Sequence, residues 1–215
     1  TFGESALALR LIQALFGAGS CALLGAATGR LFDRRAGILA GVLLALYGPA
    51  IYYDSLVAKP VLSMFFLALV LWLYGRLATA VNKKRACLAM GLALGALILT
   101  RENTMAFAPV FLWSLWRHFD TPSIRTRVVW ALCFVAGIAA ILLPVTIRNG
   151  VVGGEYHLTA ANFGDNFYKG NNPNATGTYM PLKAGRANPR FEREDATAMA
   201  EEDLGRSLSP AEVSG

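Results

Sequence analysis

Apolar and polar residues alternate in long blocks along the chain. Six blocks are apolar, at about 8–29, 36–53, 60–79, 86–100, 104–117 and 128–147. A helix rises about 1.5 Å per residue, so roughly 20 apolar residues cross the ~30 Å hydrocarbon core of a bilayer. The pattern therefore predicts six membrane-spanning helices. The expected fold is an all-α membrane protein, with a polytopic helical bundle over residues 1–147.

The fourth and fifth apolar blocks are shorter than the others. About 14 helical residues cover only ~21 Å, which is less than the thickness of the hydrocarbon core. We therefore expect the turn at 100–103 to lie below the outer membrane surface. Irregular backbone at that depth is tolerated only where protein or a wet cavity surrounds it. This turn is a candidate wall of a functional site.

Residues 148–215 have a different character. They are rich in Gly, Asn and Pro and contain no apolar run long enough to span a membrane. The stretch "GGEYHLTAANFGDNFYKGNNPNATGTY" is typical of short strands and turns, whereas "NPRFEREDATAMAEEDLGR" has a helical, acidic pattern. We expect the start of a mixed, extracytoplasmic polar segment. Because the chain has no initiator Met and stops just after a helix-start signal, we expect it to be a piece of a longer protein.

Basic residues are concentrated in every second polar turn. Ten of them lie in or beside these turns: Arg30, Arg34, Arg35, Arg76, Lys83, Lys84, Arg85, Arg117, Arg125 and Arg127. The other turns and the start of the chain carry only three: Arg10, Lys59 and Arg101. Because cytoplasmic loops are enriched in Lys and Arg, the turns with the ten basic residues are expected to face the cytoplasm. The turns at 52–60 and 101–103, and everything after Arg148, are expected to face outward.

Composition supports a membrane protein and narrows its partners. Hydrophobic residues make up 55% of the chain and charged residues 16%, below the roughly 25% of a soluble domain. The net charge of +6 is explained by the basic residues in the turns expected to face the cytoplasm. Membrane lipids are therefore expected partners, and nucleic acid is not. The three cysteines lie inside apolar runs without metal-ligand spacing. The sequence therefore gives no cofactor or metal site, and metal dependence is left open.

Candidate chemistry lies at the outer ends of the predicted spans. Asp54 and Glu102 are the only acids in the outward turns between spans. Ionisable residues near a membrane are functional candidates. Structural roles are open as well: Asp54 as a solvated loop acid or cap, a Glu102–Arg101 ion pair, and a Lys59 side chain that reaches the lipid headgroups. The polar residues expected at this face are Asp54, Lys59, Arg101, Glu102, Asn103, Arg148 and Asn149.

These residue types fit transfer of a group from a lipid phosphate. A carboxylate accepts a proton from a hydroxyl as a general base, and fixed cations stabilise the charge on a phosphate leaving group. The segment "NFGDNFYKGNNP" at 162–173 adds Tyr168, Lys169 and Asn171. Its amides can bond sugar hydroxyls, and its aromatic ring can stack on a sugar. A generic surface loop is the alternative.

Three stretches resemble one family. They are "RLIQALFGAGSCALLGAATGRLFDRRAGILAGVLLALYGPAIYYDSLVAKPVL", "GLALGALILTRENTMAFAP" and "IRNGVVGGEYHLTAANFGDNFYKGNNPNATGTY". Their order and topology resemble the GT-C glycosyltransferases, in particular the bacterial relatives of dolichyl-phosphate-mannose protein mannosyltransferases and of lipid A aminoarabinose transferase. The resemblance implies an inverting transferase of the bacterial inner membrane that uses a polyprenyl-phosphate sugar donor and a lipid, glycan or protein acceptor.

The resemblance also implies roles for individual residues. The family's main catalytic carboxylate would precede Thr1, and Asp54 matches the position of a second, supporting acid. Lys59 lies near the place of a phosphate-facing base, and Arg101 matches an Arg in the family's turn, where Glu102 replaces the usual Pro. Lys59 and Arg101 would bind the donor phosphate. The alternative is a polytopic transporter or lipid-carrier flippase without transfer chemistry, which places charges at mid-membrane rather than at one face.

Overall fold

The described part of the chain consists of helices, and short turns join those of residues 6–117. The computed structural model describes residues 6–56, 58–117, 123–153, 156, 158, 170–171, 181–183, 185–186, 188–208 and 212–213. The elements are α1 (Ala6–Leu31), α2 (Arg34–Ala45), α3 (Gly48–Ser55), α4 (Lys59–Leu77), α5 (Lys83–Thr100), a 3₁₀ helix (Glu102–Ala106), α6 (Phe107–Arg117), α7 (Ile124–Gly153) and α8 (Pro189–Leu204). Within these described ranges there is no strand, which confirms the all-α fold class.

Among the described residues, three helices are long and apolar enough to cross a membrane. They are Leu7–Leu31, Lys59–Leu77 and Ile124–Val152, and a bent pair, α2 with α3, qualifies as a fourth span. Helix α5 begins with three basic residues, and α6 has only 11 residues. The described helices therefore support a polytopic membrane protein. That α5 and α6 also span the membrane, which would give six spans, stays a prediction.

The second predicted span is broken. It was expected as one helix over 36–53, but α2 ends at Ala45 and α3 begins at Gly48, with a bend of 53° between them. Pro49 lies in the first turn of α3. A proline ring has no N–H to donate and collides with the carbonyl four residues earlier, so α2 cannot continue through it. The bend redirects α3 and the Asp54 that it carries.

Helix α5 is the centre of the bundle. Eight of its residues are buried, among them Met90, Leu94, Leu97 and Ile98. They share one apolar core with residues of α4, α6 and α7, such as Val70, Phe111 and Phe134. The Tyr74 hydroxyl of α4 also hydrogen-bonds the Ser114 hydroxyl of α6. A helix that is apolar on all sides is expected at such a position.

Glycines allow two pairs of helices to approach closely. A Cβ on Gly91 would overlap the backbone carbonyl of Phe134 in α7, and one on Gly95 would lie 2.9 Å from Ile141 Cβ. A Cβ on Gly25 of α1 would lie 3.0 Å from the Gly37 carbonyl oxygen of α2. Small residues one turn apart permit this approach. The motifs Gly25-x-x-x-Gly29 and Gly91-x-x-x-Gly95 therefore serve packing within the chain.

One end of the bundle combines tryptophan with basic side chains. The Arg76 guanidinium lies 4.7 Å from the Trp72 ring, and Lys83 Nζ lies 5.5 Å from the Trp130 ring. Two further pairs are Arg117 with Trp113 at 5.5 Å and Arg127 with Trp116 at 5.8 Å. Aromatic belts mark membrane interfaces. The four tryptophans thus lie at the end where the charge pattern predicts the cytoplasm.

Residues from Thr146 onward form a second compact unit. Within it, α8 confirms the predicted acidic helix. The Asp195 side chain is 2% exposed, and its Oδ1 lies 2.6 Å from Arg186 Nη1. Arg186 also contacts Glu194 at 3.0 Å and lies over the Phe191 ring. The strands expected within 154–180 fall almost entirely outside the described residues.

Candidate functional site

A cavity of about 440 Å³ opens where α3, the start of α4 and the end of α5 meet. A short turn joins α3 to α4, whereas the end of α5 reaches the same place from later in the chain. The lining residues are Tyr47, Pro49, Ala50, Tyr53, Asp54, Pro60, Val61, Ser63, Met64, Leu67, Leu97, Arg101, Asn103 and Thr104. We call this space the outer cavity, because it lies at the end of the bundle opposite the tryptophans.

Among the described residues of this lining, one acid and one base are charged. They are Asp54 and Arg101, and the polar groups beside them include Asn103, Thr104 and Ser63. Most of the remaining wall is aliphatic or aromatic. Ligand sites typically combine an apolar wall with a few polar groups that fix orientation. The cavity can therefore accept a ligand that is partly apolar and carries a polar or anionic group.

Asp54 lies in the last turn of α3 and is half-buried. Its carboxyl group rests against Gly17 of α1, because a Cβ built on Gly17 would overlap it. A second, smaller cavity of about 230 Å³ is also lined by Asp54 and shares Ala50, Val61 and Met64 with the first. Within the described part of the chain, no hydrogen bond or ion pair to the Asp54 carboxylate is observed. Because Asp54 borders both cavities, a ligand in either one can reach its carboxyl group.

The turn between α3 and α4 is tied to α1. Gln13 Nε2 donates a hydrogen bond of 3.2 Å to the Ala58 carbonyl oxygen. Ala58 precedes α4, whose first turn contains Pro60. A proline is favoured there because its missing N–H would have no partner within the helix. The turn that follows the Asp54-bearing end of α3 is thus held in place by α1 and by the start of α4.

Arg101 ends α5 and precedes the 3₁₀ helix. Its backbone is extended, at φ −146° and ψ 98°, and its N–H donates to the Leu97 carbonyl at 2.9 Å. Thr104 closes the turn, because its N–H and hydroxyl donate to the Arg101 carbonyl at 3.0 and 2.6 Å. This geometry fixes the backbone of Arg101 and leaves its side chain exposed.

The cavity gathers only part of the predicted residue set. Asp54, Arg101 and Asn103 line it, whereas Lys59 and Glu102 are neighbours of lining residues and are exposed. Arg148 and Asn149 lie near the end of α7, in the second unit. Asn171 is an exposed residue of a helical turn in that unit. Tyr168 and Lys169 lie outside the described residues.

Sequence reasoning missed four residues at or behind the site: Gln13, Gly17, Ser63 and Thr104. Gln13 had a visible signal, since an amide inside an apolar run needs a hydrogen-bond partner. Gly17 had none, because its importance depends on which side chain faces it across the helix interface. Among the described residues no group of three His, Cys, Asp or Glu side chains is placed to hold a metal ion.

A family model agrees with this architecture. The model described as dolichyl-phosphate-mannose-protein mannosyltransferase matches residues 1–147. The chain belongs to this family. The match includes Asp54, Arg101 and the whole outer cavity. No curated protein and no solved structure gives a significant match to the chain. The family makes the protein a membrane glycosyltransferase of GT-C type, which acts on a lipid-linked sugar donor and an acceptor.

Proposed function

We propose that the protein transfers a sugar from a polyprenyl-phosphate donor to an acceptor at the extracytoplasmic face of a bacterial inner membrane. The observation that carries this proposal is the outer cavity, in which Asp54 of α3 and Arg101 of α5 share one apolar-walled space. A lipid-phosphate sugar has the matching composition, with an apolar chain, an anionic phosphate and a polar sugar. The acceptor is a hydroxyl of a lipid, glycan or protein.

The transfer requires one bond to form and one to break. The acceptor oxygen attacks the anomeric carbon while the bond from that carbon to the phosphate oxygen breaks, and the bonding electron pair leaves with the phosphate. Attack from the face opposite the phosphate inverts the anomeric configuration. The hydroxyl proton passes to a carboxylate acting as general base. Asp54 orients the acceptor and supports the principal base, which the family resemblance places before Thr1.

Arg101 stabilises the leaving phosphate. A guanidinium presents two parallel N–H groups to phosphate oxygens and stays charged at any physiological pH. Hydrogen bonds to Leu97 and Thr104 fix the backbone of Arg101. The point from which its side chain extends is therefore defined before the donor arrives. Preorganised charge of this kind lowers the barrier because little rearrangement is needed during the reaction. Lys59, at the first turn of α4, supplies a second cation.

The remaining predicted residues would serve the sugar or the acceptor. Glu102 and Asn103 follow Arg101 in the same turn and present carboxylate and amide oxygens to hydroxyls. We assign Arg148, Asn149, Tyr168, Lys169 and Asn171 to the sugar or acceptor side as well, since their types suit polar hydroxyl-rich ligands. Residues 148–215 would then lie outside the cytoplasm.

The proposal is tested with full-length protein in reconstituted vesicles. A polyprenyl-phosphate sugar labelled in the sugar is supplied with extracted cell-envelope acceptors. Transfer predicts labelled acceptor together with free polyprenyl phosphate in equal amounts. A flippase would instead move labelled donor between the two leaflets and leave the sugar–phosphate bond intact, and that result would overturn the proposal.

A further inference from the structure

The face of α1 that meets the α3–α4 turn carries two contacts to the Asp54 region. Gly17 is buried, and the Asp54 carboxyl group occupies the space that a side chain at position 17 would fill. One turn earlier, Gln13 binds the Ala58 carbonyl. Residues four apart lie on the same face of a helix. The end of α3 that carries Asp54 and the turn after it therefore both pack against α1.

We propose that Gly17 is a positioning residue for sugar transfer, because its missing side chain provides the seat in which the Asp54 carboxyl group rests. This inference rests on the role of Asp54 in the proposed function. Gly17 does not touch the substrate and acts only through Asp54.

Helix α1 makes close contacts with α2 and α4 that oppose its displacement. On its other contacts it is already close-packed: a Cβ on Gly25 would lie 3.0 Å from the Gly37 carbonyl, and one on Gly19 would lie 3.1 Å from the Phe65 ring. The Asp54 side chain is the movable partner, since it borders two open cavities. A methyl group at position 17 therefore displaces the carboxylate rather than the helix.

The expected effect follows from the need for alignment in the transition state. A displacement of roughly 1 Å in a positioned group can lower the rate by about 10²-fold. We expect Gly17→Ala to lower kcat by on the order of 10- to 100-fold with little change in KM for the donor, since the donor phosphate is held by Arg101. The matched control is Gly29→Ala in the same helix, whose new Cβ would lie no closer than 3.8 Å, from Gly37 Cα.

The geometry is tested without any activity measurement. In full-length protein with Cys21→Ser, Cys87→Ala and Cys133→Ala, a pair of thiols is introduced by Gly17→Cys and Asp54→Cys. The Cβ position of residue 17 lies 2.6 Å from Asp54 Cγ, which is the place that the new sulfur of residue 54 takes. Copper phenanthroline should oxidise the pair to a disulfide, so that neither thiol reacts with polyethylene-glycol maleimide. Gly29→Cys with Asp54→Cys should keep both thiols reactive. Reactive thiols in the first pair would overturn the proposed seat.

The decisive test is a double-mutant cycle in the vesicle transfer assay. The proteins are wild type, Gly17→Ala, Asp54→Asn and the double variant, with Gly29→Ala as control. If Gly17 acts through Asp54, the double variant is no slower than Asp54→Asn alone. Two outcomes would overturn the role of Gly17 and leave the proposed function intact. The first is a double variant whose loss of rate, expressed as a free energy, is the sum of the two single losses. The second is an impaired Asp54→Asn together with equal rates for Gly17→Ala and Gly29→Ala. A wild-type rate for Asp54→Asn overturns the role of Asp54 and, with it, that of Gly17.

Discussion

At the scale of single residues, Arg101 offers a test of donor recognition. Arg101→Ala removes a basic side chain that lines the outer cavity, so donor use should fall by on the order of 10²-fold. Arg101→Lys keeps the charge but loses the two-pronged hydrogen bonding, and it should recover only part of the rate. The measurement is the initial rate of sugar transfer at several donor concentrations.

The control for Arg101 is Arg125→Ala. Arg125 is an exposed residue in the first turn of α7, at the end predicted to face the cytoplasm. Its removal changes the net charge by the same amount but leaves the cavity unaltered. Equal rates for Arg101→Ala, Arg125→Ala and wild type would assign Arg101 to the structure of the turn rather than to the donor.

At the scale of elements, the packing of α5 against α7 depends on glycine. Gly91→Ala adds a methyl group where the Phe134 carbonyl already lies, and overpacking of this kind costs about 1–3 kcal/mol. Thermal unfolding in detergent should show a lower midpoint. Gly48→Ala is the matched control, because nothing lies within 4 Å of its new Cβ, and its midpoint should stay the same or rise. A midpoint of Gly91→Ala equal to that of Gly48→Ala would contradict the close α5–α7 contact.

Hydropathy and charge alone predicted most of the elements but not how they meet. The long apolar runs located α1, α4 and α7, since burial in lipid requires a run of that length. The break between α2 and α3 was not predicted, although Gly48 and Pro49 are visible in the sequence. The apolar run continues on both sides of these two residues, so hydropathy shows no interruption. A proline marks where a helix is interrupted, but the direction of the next helix depends on the packing around it.

The candidate site was predicted in part for a similar reason. Asp54, Arg101 and Asn103 were found because charged or amide groups at the edge of a membrane are costly and so stand out. That these three share a cavity with Thr104 and Ser63 depends on contacts between distant helices. The support from Gly17 and Gln13 is equally a product of tertiary packing, which no local pattern reveals.

At the scale of the whole molecule, the orientation in the membrane is a direct prediction of the charge pattern. In cysteine-free, full-length protein in inner-membrane vesicles of native orientation, Lys84→Cys and Arg125→Cys should be shielded from an impermeant thiol reagent added outside. Ser55→Cys and Gly170→Cys should be labelled from outside, because the turn at 52–60 carries few basic residues and residue 170 follows the sixth predicted span. All four positions are exposed, so shielding reports the side of the membrane rather than burial. Labelling of residues 84 and 170 from the same side would contradict the six-span topology.

The most direct measurement of the central claim is the transfer rate of Asp54→Asn in full-length protein. The change is nearly isosteric, and a general base or charged positioning group contributes on the order of 10²–10⁴ in rate, so we expect normal accumulation and a loss of at least ~10²-fold. Asp54→Glu should lose less. The control is Asp33→Asn, since the Asp33 carboxylate accepts hydrogen bonds from the N–H groups of Arg35 and Ala36 at the start of α2, and asparagine caps helices equally well. A wild-type transfer rate for Asp54→Asn, with the same outcome for Asp33→Asn, would contradict the assignment of the outer cavity as the site of sugar transfer.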